Sequence, residues 1–494
     1  MSLKKLQRNQ VVLIFLYLGL TVFAWVFATP HTGVSDEPAH VVKAAATARF
    51  EFSGPKVVGQ FGYDAQLYRV PVAYSVPGLA ACYAGMVDVP ASCTSPLPSG
   101  DELVEVSSTA AHYPPLYYLV VGAPLNIWPG MTGFYVARLL SGLLTVLLTG
   151  WAYLLASRDP KRPLLPFGVL VAMVPTTLAF AGAINPASAE ISGALLMTTS
   201  MILAIVRPVQ TRREQVHIAL SGVVGSAFFA LSRPASFVFM AAVIGLTSLA
   251  FGPRTVLTNV RRPRLGNAGI WTPFLGFVVA VIAYLMTPRG LGLGGGGAGV
   301  GESLAVNLRY SFERIPDYLA QMFGYFGWTE LYAPKAQFFL WLIAIGACLG
   351  FALMTLSLRR LCILLLSVVA VVFAPLALEG LRASEVGRGY QGRYMLSVAI
   401  LVPLIALSVS RQDGIPKGSR RLGLALGIVT VLSHLLVLNH VVRRFSVGLA
   451  GPLWWPGSPQ WVPAIGTWVM FATMLFATMA GGLLIWGRVK LSRV

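Results

Sequence analysis

"VVLIFLYLGLTVFAWVFATPHTGVSDEPAH" (11–40) sets a charge-free apolar run, 11–29, directly before the polar sequence Ser35-Asp36-Glu37-Pro38-Ala39-His40. A helix needs about 20 apolar residues to cross a hydrocarbon core, and this run has that length. It exceeds the roughly 7–15 residues of a cleaved signal core, and no A-x-A site follows, so a retained first membrane helix is expected. Working outward, comparable runs fall near 131–156, 163–183, 187–206, 216–232, 234–251, 268–287, 336–357, 361–379, 394–410, 422–440 and 465–487. The chain of 494 residues is 56% hydrophobic and 11% charged, whereas soluble domains carry about 25% charged residues. The expected fold is an all-α polytopic membrane protein of about twelve transmembrane helices (11–13), forming one domain over 1–494.

Charge gives the orientation. Basic residues cluster between alternate runs: Lys4/Lys5/Arg8, Arg158/Lys161/Arg162, Arg207/Arg212/Arg213, Arg254/Arg261/Arg262/Arg264, Arg359/Arg360, Arg411/Lys417/Arg420/Arg421 and Arg488/Lys490/Arg493. These are 22 of the 37 Lys and Arg, accompanied only by Asp159, Glu214 and Asp413, a surplus equal to the whole formal charge of +19. The positive-inside rule puts these loops and both termini in the cytoplasm. The charge is thereby accounted for as topology, and nucleic acid is excluded as a partner.

The stretch "YPPLYYLVVGAPLNIWPG" (113–130) is apolar enough to be a span, but counting it would invert the Arg158 loop. Its Pro114-Pro115 start and Trp128-Pro129-Gly130 break fit an interfacial helix beside the membrane. Three long segments then face outward, 30–130, 288–335 and 380–393, with a shorter one at 441–464. The cytoplasmic loops are short and basic, so any chemistry belongs outside.

Of four cysteines, Cys348 and Cys362 fall in spans, while Cys82 and Cys93 share the first outer loop, where an oxidising compartment permits a disulfide. The sequence has no C-x-x-C pair, which excludes a zinc ribbon or a redox motif of that kind. "GLGLGG" (290–295) matches G-x-G-x-x-G only formally, since no strand precedes it and no G-K-[ST] follows. His31, His40, His112 and His440 lie outside without a spacing that defines ligands, so no metal is assigned and metal dependence stays open.

Asp36 and Glu37 follow the first span, with Pro38 opening a helix. Capping alone would explain acids at that place. Three further outer stretches keep them company. "AAHYPPLYY" (110–118) carries His112 and Tyr113; "YFGWTELYAP" (325–334) carries Tyr325, Trp328 and Glu330; "EGLRASEVGRGYQGRY" (379–394) carries Arg382, Arg388, Arg393 and Tyr394. An interfacial belt accounts for any single aromatic there. Orientation rules do not favour outer arginines, and phosphate is the natural ligand for a cluster of them. Acids on one side and a basic pocket on the other suggest a lipid-phosphate substrate.

"DEPAH" (36–40), "HYPPLYY" (112–118), "INPAS" (184–188), "SRP" (232–234), "GYFGW" (324–328) and "QGRY" (391–394), in this order, resemble a bacterial membrane-protein family known as domain of unknown function 2142. That family is similar to the GT-C superfamily of membrane glycosyltransferases, which includes protein mannosyltransferases and aminoarabinose and arabinofuranosyl transferases. The resemblance covers about 10–490, and "INPAS" departs from the family's more usual acid after Asn-Pro. It implies a GT-C-like fold and transfer from a polyprenyl-phosphate sugar, an arabinofuranosyl or similar pentose or hexose, to a glycan, lipid or protein acceptor on the outer face of the plasma membrane. It also implies Asp36 as base toward the acceptor hydroxyl, with Glu37 as helper or acceptor-positioning group. Arg382, Arg388, Arg393 and Tyr394 are the candidates for the donor phosphate. His40, His112, Tyr113, Tyr325, Trp328 and Glu330 are those for sugar or acceptor. A single displacement by one carboxylate implies inversion. The competing class is a transporter or flippase of lipid-linked sugars, which topology alone fits equally well.

Overall fold

The computed structural model describes residues 3–31, 33–59, 64–75, 82–207, 211–286, 298–410 and 418–491. "GLGLGG" and the basic residues Arg411, Lys417 and Arg493 lie outside the described residues.

Helix α1 (Leu3–Ala28) leads into α2 (Glu37–Ala48) and an antiparallel sheet of β1 (Lys56–Val58), β2 (Asp64–Pro71) and β3 (Leu103–Ser108), in that order. Next come α3 (Leu116–Val121), α4 (Ala123–Ile127) and α5 (Met131–Ser157). After them run α6 (Leu165–Ala172), α7 (Pro175–Ala181), α8 (Ala187–Val206), α9 (Arg212–Ala230), α10 (Ser236–Phe251), α11 (Pro253–Arg261) and α12 (Ala268–Met286). The chain continues through α13 (Leu304–Glu313), α14 (Ile315–Phe323) and the hairpin β4 (Tyr325–Phe326) and β5 (Leu331–Tyr332). It closes with α15 (Lys335–Thr355), α16 (Leu358–Gly380), α17 (Ala383–Val386), α18 (Leu396–Ala399), α19 (Leu401–Ala406), α20 (Ser419–Val447) and α21 (Thr467–Leu491).

Among the described residues eight helices are long and apolar enough to cross a membrane: Arg8–Ala28, Met131–Ser157, Ala187–Val206, Leu265–Met286, Lys335–Thr355, Leu358–Glu385, Ser419–Val447 and Thr467–Leu491. A ninth arises if α10, which bends by 117° into α11, is counted. The other stretches expected to span take different forms. The run at 163–183 is two helices parted at Met173–Val174, because Pro175 opens a new first turn. The run at 394–410 is likewise divided, into α18 and α19. Helix α9 begins with Arg212, Arg213 and Glu214, so it falls short of the apolar standard. At six and five residues, α3 and α4 are each too short to cross.

The hydrophobic pattern produces two kinds of helix face. Leu275, Val278, Ile282 and Leu285 on α12 are exposed at helical spacing, as a lipid-facing stripe requires. Interior faces use small residues instead. A Cβ on Gly225 of α9 would lie 2.5 Å from the backbone nitrogen of Met197 on α8, so only glycine allows that approach. Helix α1 packs on α5 and α21, and α8 on α5 and α9.

The sheet in the first outer loop was not expected. Its strand "LVEVSS" alternates apolar and polar residues over Val104–Ser107, and β2 pairs with it from Gln66↔Ser108 to Pro71↔Leu103. Helix α2 packs against this sheet and against α3 and α4, which sets its first turn at the end of the bundle opposite the basic termini of α5 and α8.

Candidate functional site

Beyond α1 the chain turns so that the Ser35 amide donates to the Gly327 carbonyl at 3.0 Å. Asp36 then takes the N-cap position of α2 with φ 67° and ψ −16°. This left-handed conformation costs an L-residue about 1–2 kcal/mol, and Asp and Asn enter it most readily. The side chain makes no capping hydrogen bond. Its Oδ2 instead accepts from Arg393 Nη2 at 2.9 Å; the Asp36 side chain is 54% exposed and that of Arg393 only 7%. Capping therefore does not explain Asp36.

Glu37, one residue on, has the opposite setting. Its Oε1 accepts from Arg138 Nε at 2.8 Å and from the Ile184 amide at 2.8 Å, and its Oε2 from Arg138 Nη2 at 2.5 Å. Both side chains are 0% exposed. The remaining Arg138 donors go to the carbonyls of Val26, Thr29 and Pro30 at 2.9, 2.9 and 3.0 Å, so all five N–H groups are used. The carboxylate is sealed among α1, α5 and the turn before α8, so of the two expected roles, helper or acceptor-positioning group, the burial leaves only an action through its neighbours.

Arg393 is delivered by a tightly held turn. The Tyr390 amide donates to Glu379 Oε1 at 3.0 Å and the Gly392 amide to Gln321 Oε1 at 2.7 Å. A Cβ on Gly392 would run into the Tyr318 carbonyl, which is why glycine precedes this arginine. Arg393 lies 4.7 Å from the Phe180 ring centroid and donates to Ser35 Oγ at 3.4 Å. It also lines a cavity of about 20 Å³ with Trp25, Thr29, Ser35, Phe180 and Tyr325, a space for one water rather than a sugar. The open side of the pair is that of Asp36.

Around this pair the other motif residues converge. Arg233 stands 4.3 Å from the Tyr394 centroid, lies beside Tyr113, and donates from Nη1 to Glu190 Oε2 at 3.4 Å. His40 Nδ1 and the Tyr118 hydroxyl are 2.7 Å apart, and the His40 ring meets Tyr113 edge-on at 5.0 Å. Burial holds the His40 imidazole down to about 3; Arg233, His112 and Arg393 push the same way, and Asp36 opposes them. His112, its ring tilted against that of Tyr113 at 4.8 Å, is lowered to about 4 by desolvation and then by Arg233 and Lys43. Both imidazoles are neutral at pH 7.

Other expected residues lie elsewhere. Arg388 is committed to Glu302 at 2.5 Å, to Asn307 Oδ1 at 3.0 Å and to the Tyr310 ring at 4.1 Å, which ties it to α13 rather than to Asp36. Arg382 is exposed at the start of α17. Glu330 accepts from the Trp328 amide and pairs with buried Arg444 at 3.3 Å. Arg444 also donates to the carbonyls of Tyr83, Met86 and Val89, within the knuckle that the Cys82–Cys93 disulfide closes. Glu330 is thus engaged in holding that knuckle to α20. No group of three or more metal-ligating side chains occurs among the described residues.

Arg138, Glu190 and Arg233 were missed as parts of the site, although each is a rare charge near the end of an apolar run. All six motif stretches meet here: Glu37 binds the "INPAS" turn, Ser35 the "GYFGW" hairpin, Asp36 the "QGRY" arginine, and Tyr113 the "SRP" arginine. Residues 18–402, which contain every one of them, match the family model described as "Predicted membrane protein (DUF2142)". The chain belongs to this family. No curated protein and no solved structure matches it. A multi-pass membrane protein of the DUF2142 family thus gathers these six motif stretches at one end of an apolar bundle.

Proposed function

We propose that this chain is a membrane glycosyltransferase of GT-C type. It moves a sugar from a polyprenyl-phosphate donor to a glycan, lipid or protein acceptor of the cell envelope, on the extracytoplasmic face of the plasma membrane and with inversion. The Asp36–Arg393 pair carries this reading: an exposed carboxylate with no capping duty, held in a left-handed conformation beside a buried guanidinium. Conformational strain of this kind concentrates at functional sites. Asp36 takes the proton of the acceptor hydroxyl as that oxygen attacks the anomeric carbon. The bond from that carbon to the phosphate oxygen breaks, its electron pair leaves on the phosphate, and Arg393 meets the growing charge. Donor phosphate and Asp36 compete for Arg393, so arrival of the donor frees the carboxylate for the acceptor. Glu37 is a positioning residue that fixes the first turn of α2.

The orientation proposed with this function takes twelve crossings, adding α9, α10 and, as broken ones, α6–α7 and the stretch through α18 and α19 to the eight long apolar helices. They keep the basic loops and both termini inside and put Asp36 outside. A second reading, transport of a lipid-linked sugar, draws on the break at Met173–Val174 and the 117° bend after α10, since transporters use discontinuous helices. Transporter sites sit near the bilayer midplane, whereas Asp36, Glu190, Arg233 and Arg393 lie in the first turn of a helix or outside the helices, and Arg138 lies about two turns inside the start of α5. Reconstitution in liposomes with a panel of polyprenyl-phosphate sugars tests both. Asp36-dependent transfer supports the first reading, and movement of the donor across the bilayer without transfer supports the second.

A further inference from the structure

Arg233 and Arg393 come from loops far apart in sequence, yet both stand over one ring. Their guanidinium carbons lie 4.3 and 5.8 Å from the Tyr394 centroid, so they are within the sum of those distances of each other. Each has one carboxylate partner, and the two partners differ. Asp36 is exposed and free to turn away. Glu190 is buried, with Oε1 taken by Ser236 Oγ at 2.8 Å. Its contact with Arg233, at 3.4 Å, is longer than the roughly 2.7–2.9 Å of a close charge-assisted bond. Glu190 therefore offsets the charge of Arg233 while taking a single Nη1 donor at that long distance, and Tyr113 stands beside the same fork; its other donors have no further protein acceptor among the described residues. The Arg233 side chain keeps 13% of its surface exposed and shares the neighbours His40 and Tyr113 with Asp36.

With both imidazoles neutral, the two arginines and two carboxylates sum to zero while Asp36 holds Arg393. When Asp36 turns to an acceptor, one positive charge is left uncovered on a pair of guanidiniums. We infer that Arg233 is a second phosphate-binding residue, which with Arg393 forms a two-armed seat beside Tyr394 for a lipid phosphate, the diester of the donor and the monoester that leaves. The inference rests on the lipid-phosphate reading above and moves the second arm from Arg388, which Glu302 and Asn307 occupy, to Arg233.

Equilibrium binding of labelled farnesyl phosphate to the full-length protein in nanodiscs tests it, with farnesol and inorganic phosphate as competitors. Farnesol should fail to compete and inorganic phosphate should succeed. Tighter binding of farnesyl phosphate than of inorganic phosphate assigns the seat to a lipid head group, and equal binding assigns it to free phosphate. Arg233→Gln and Arg393→Gln should each weaken binding about 10–100-fold, the range of a lost charge-assisted contact. The double variant should lose less than the product of the two, because both arms grip one group. Glu190→Gln should tighten binding by removing the internal counter-charge. Arg233→Lys keeps the charge without the fork and should fall between the parent and Arg233→Gln, which covers a Gln variant that fails to fold. Parent-like affinity in both Arg233 variants overturns the proposal, as does a fully multiplicative loss in the double variant. No sugar moves in this assay, so its failure leaves the transferase reading to Asp36-dependent transfer. Arg233-dependent binding without any transfer would sink that reading and keep the seat.

Discussion

Replacing Glu37 by Gln separates a carboxylate that builds the site from one that acts in it. Glu37 supplies two oxygens to three donors, Arg138 Nε, Arg138 Nη2 and the Ile184 amide, with no exposed surface on either side chain. A carboxamide of the same size keeps one acceptor oxygen and turns an NH₂ toward donors. It leaves the Arg138 guanidinium buried without a counter-charge. Removing one partner of a buried pair costs about 3–5 kcal/mol, because the surviving charge stays desolvated. The same Arg138 also ties down the carbonyls of Val26, Thr29 and Pro30, so the loss should spread to the end of α1. Unfolding of the purified protein in mild detergent should shift by that amount in Glu37→Gln. The Glu37→Gln/Arg138→Gln double variant should be less destabilised than the two single losses summed. A Glu37→Gln protein as stable as the parent but unable to turn over would refute this reasoning and make Glu37 a chemical group.

Arg388→Ala should loosen the contacts to Glu302, Asn307 and Tyr310 and raise protease sensitivity near α13. Affinity for farnesyl phosphate should stay within about fivefold of the parent, the scale of a partly exposed ion pair; a loss matching that of Arg393→Ala would return Arg388 to the phosphate. For His40, folding lowers the imidazole from its ordinary 6.5 to about 3. The unfolded chain then binds the extra proton between those values, so stability is complete above about pH 6.5 and declines as pH falls below it, by at most about 1.4 kcal/mol per unit. His40→Gln should flatten the unfolding midpoint between pH 7.5 and 5, and an unchanged slope would contradict the assignment.

The membrane-embedded class was legible because apolar runs of span length and the sidedness of basic residues are local features of a sequence. Asp36 and Arg393 were legible for a related reason: each is a charge where neither lipid nor orientation rules call for one. What escaped depends on contacts across long separations. Glu37 and Arg138 stand 101 residues apart, and nothing near either names the other, so two adjacent acids read alike although one is exposed and one sealed. Arg388 read like Arg393 because the local sequence repeats Gly-Arg, whereas Glu302 and Asn307 decide its place from another loop. The division of 163–183 was written in Pro175, whose meaning as a helix start is hidden inside a run apolar throughout. The strand "LVEVSS" was short and set in a long polar loop, where alternation over a few residues is a weak signal.

Sugar transfer by reconstituted protein carrying Asp36→Asn tests the central claim most directly. Asparagine tolerates the left-handed conformation as aspartate does, and no capping hydrogen bond is lost with the carboxylate. The backbone should therefore be retained and the unfolding midpoint should shift little, since the lost ion pair is half-exposed on the Asp36 side. Donor binding should hold or tighten, because Asp36 no longer competes for Arg393, while transfer from the donor that the parent uses falls by about 10²–10⁴-fold, the contribution of a general base. Transfer at the parental rate in Asp36→Asn, with the protein folded and the donor bound, would contradict the account.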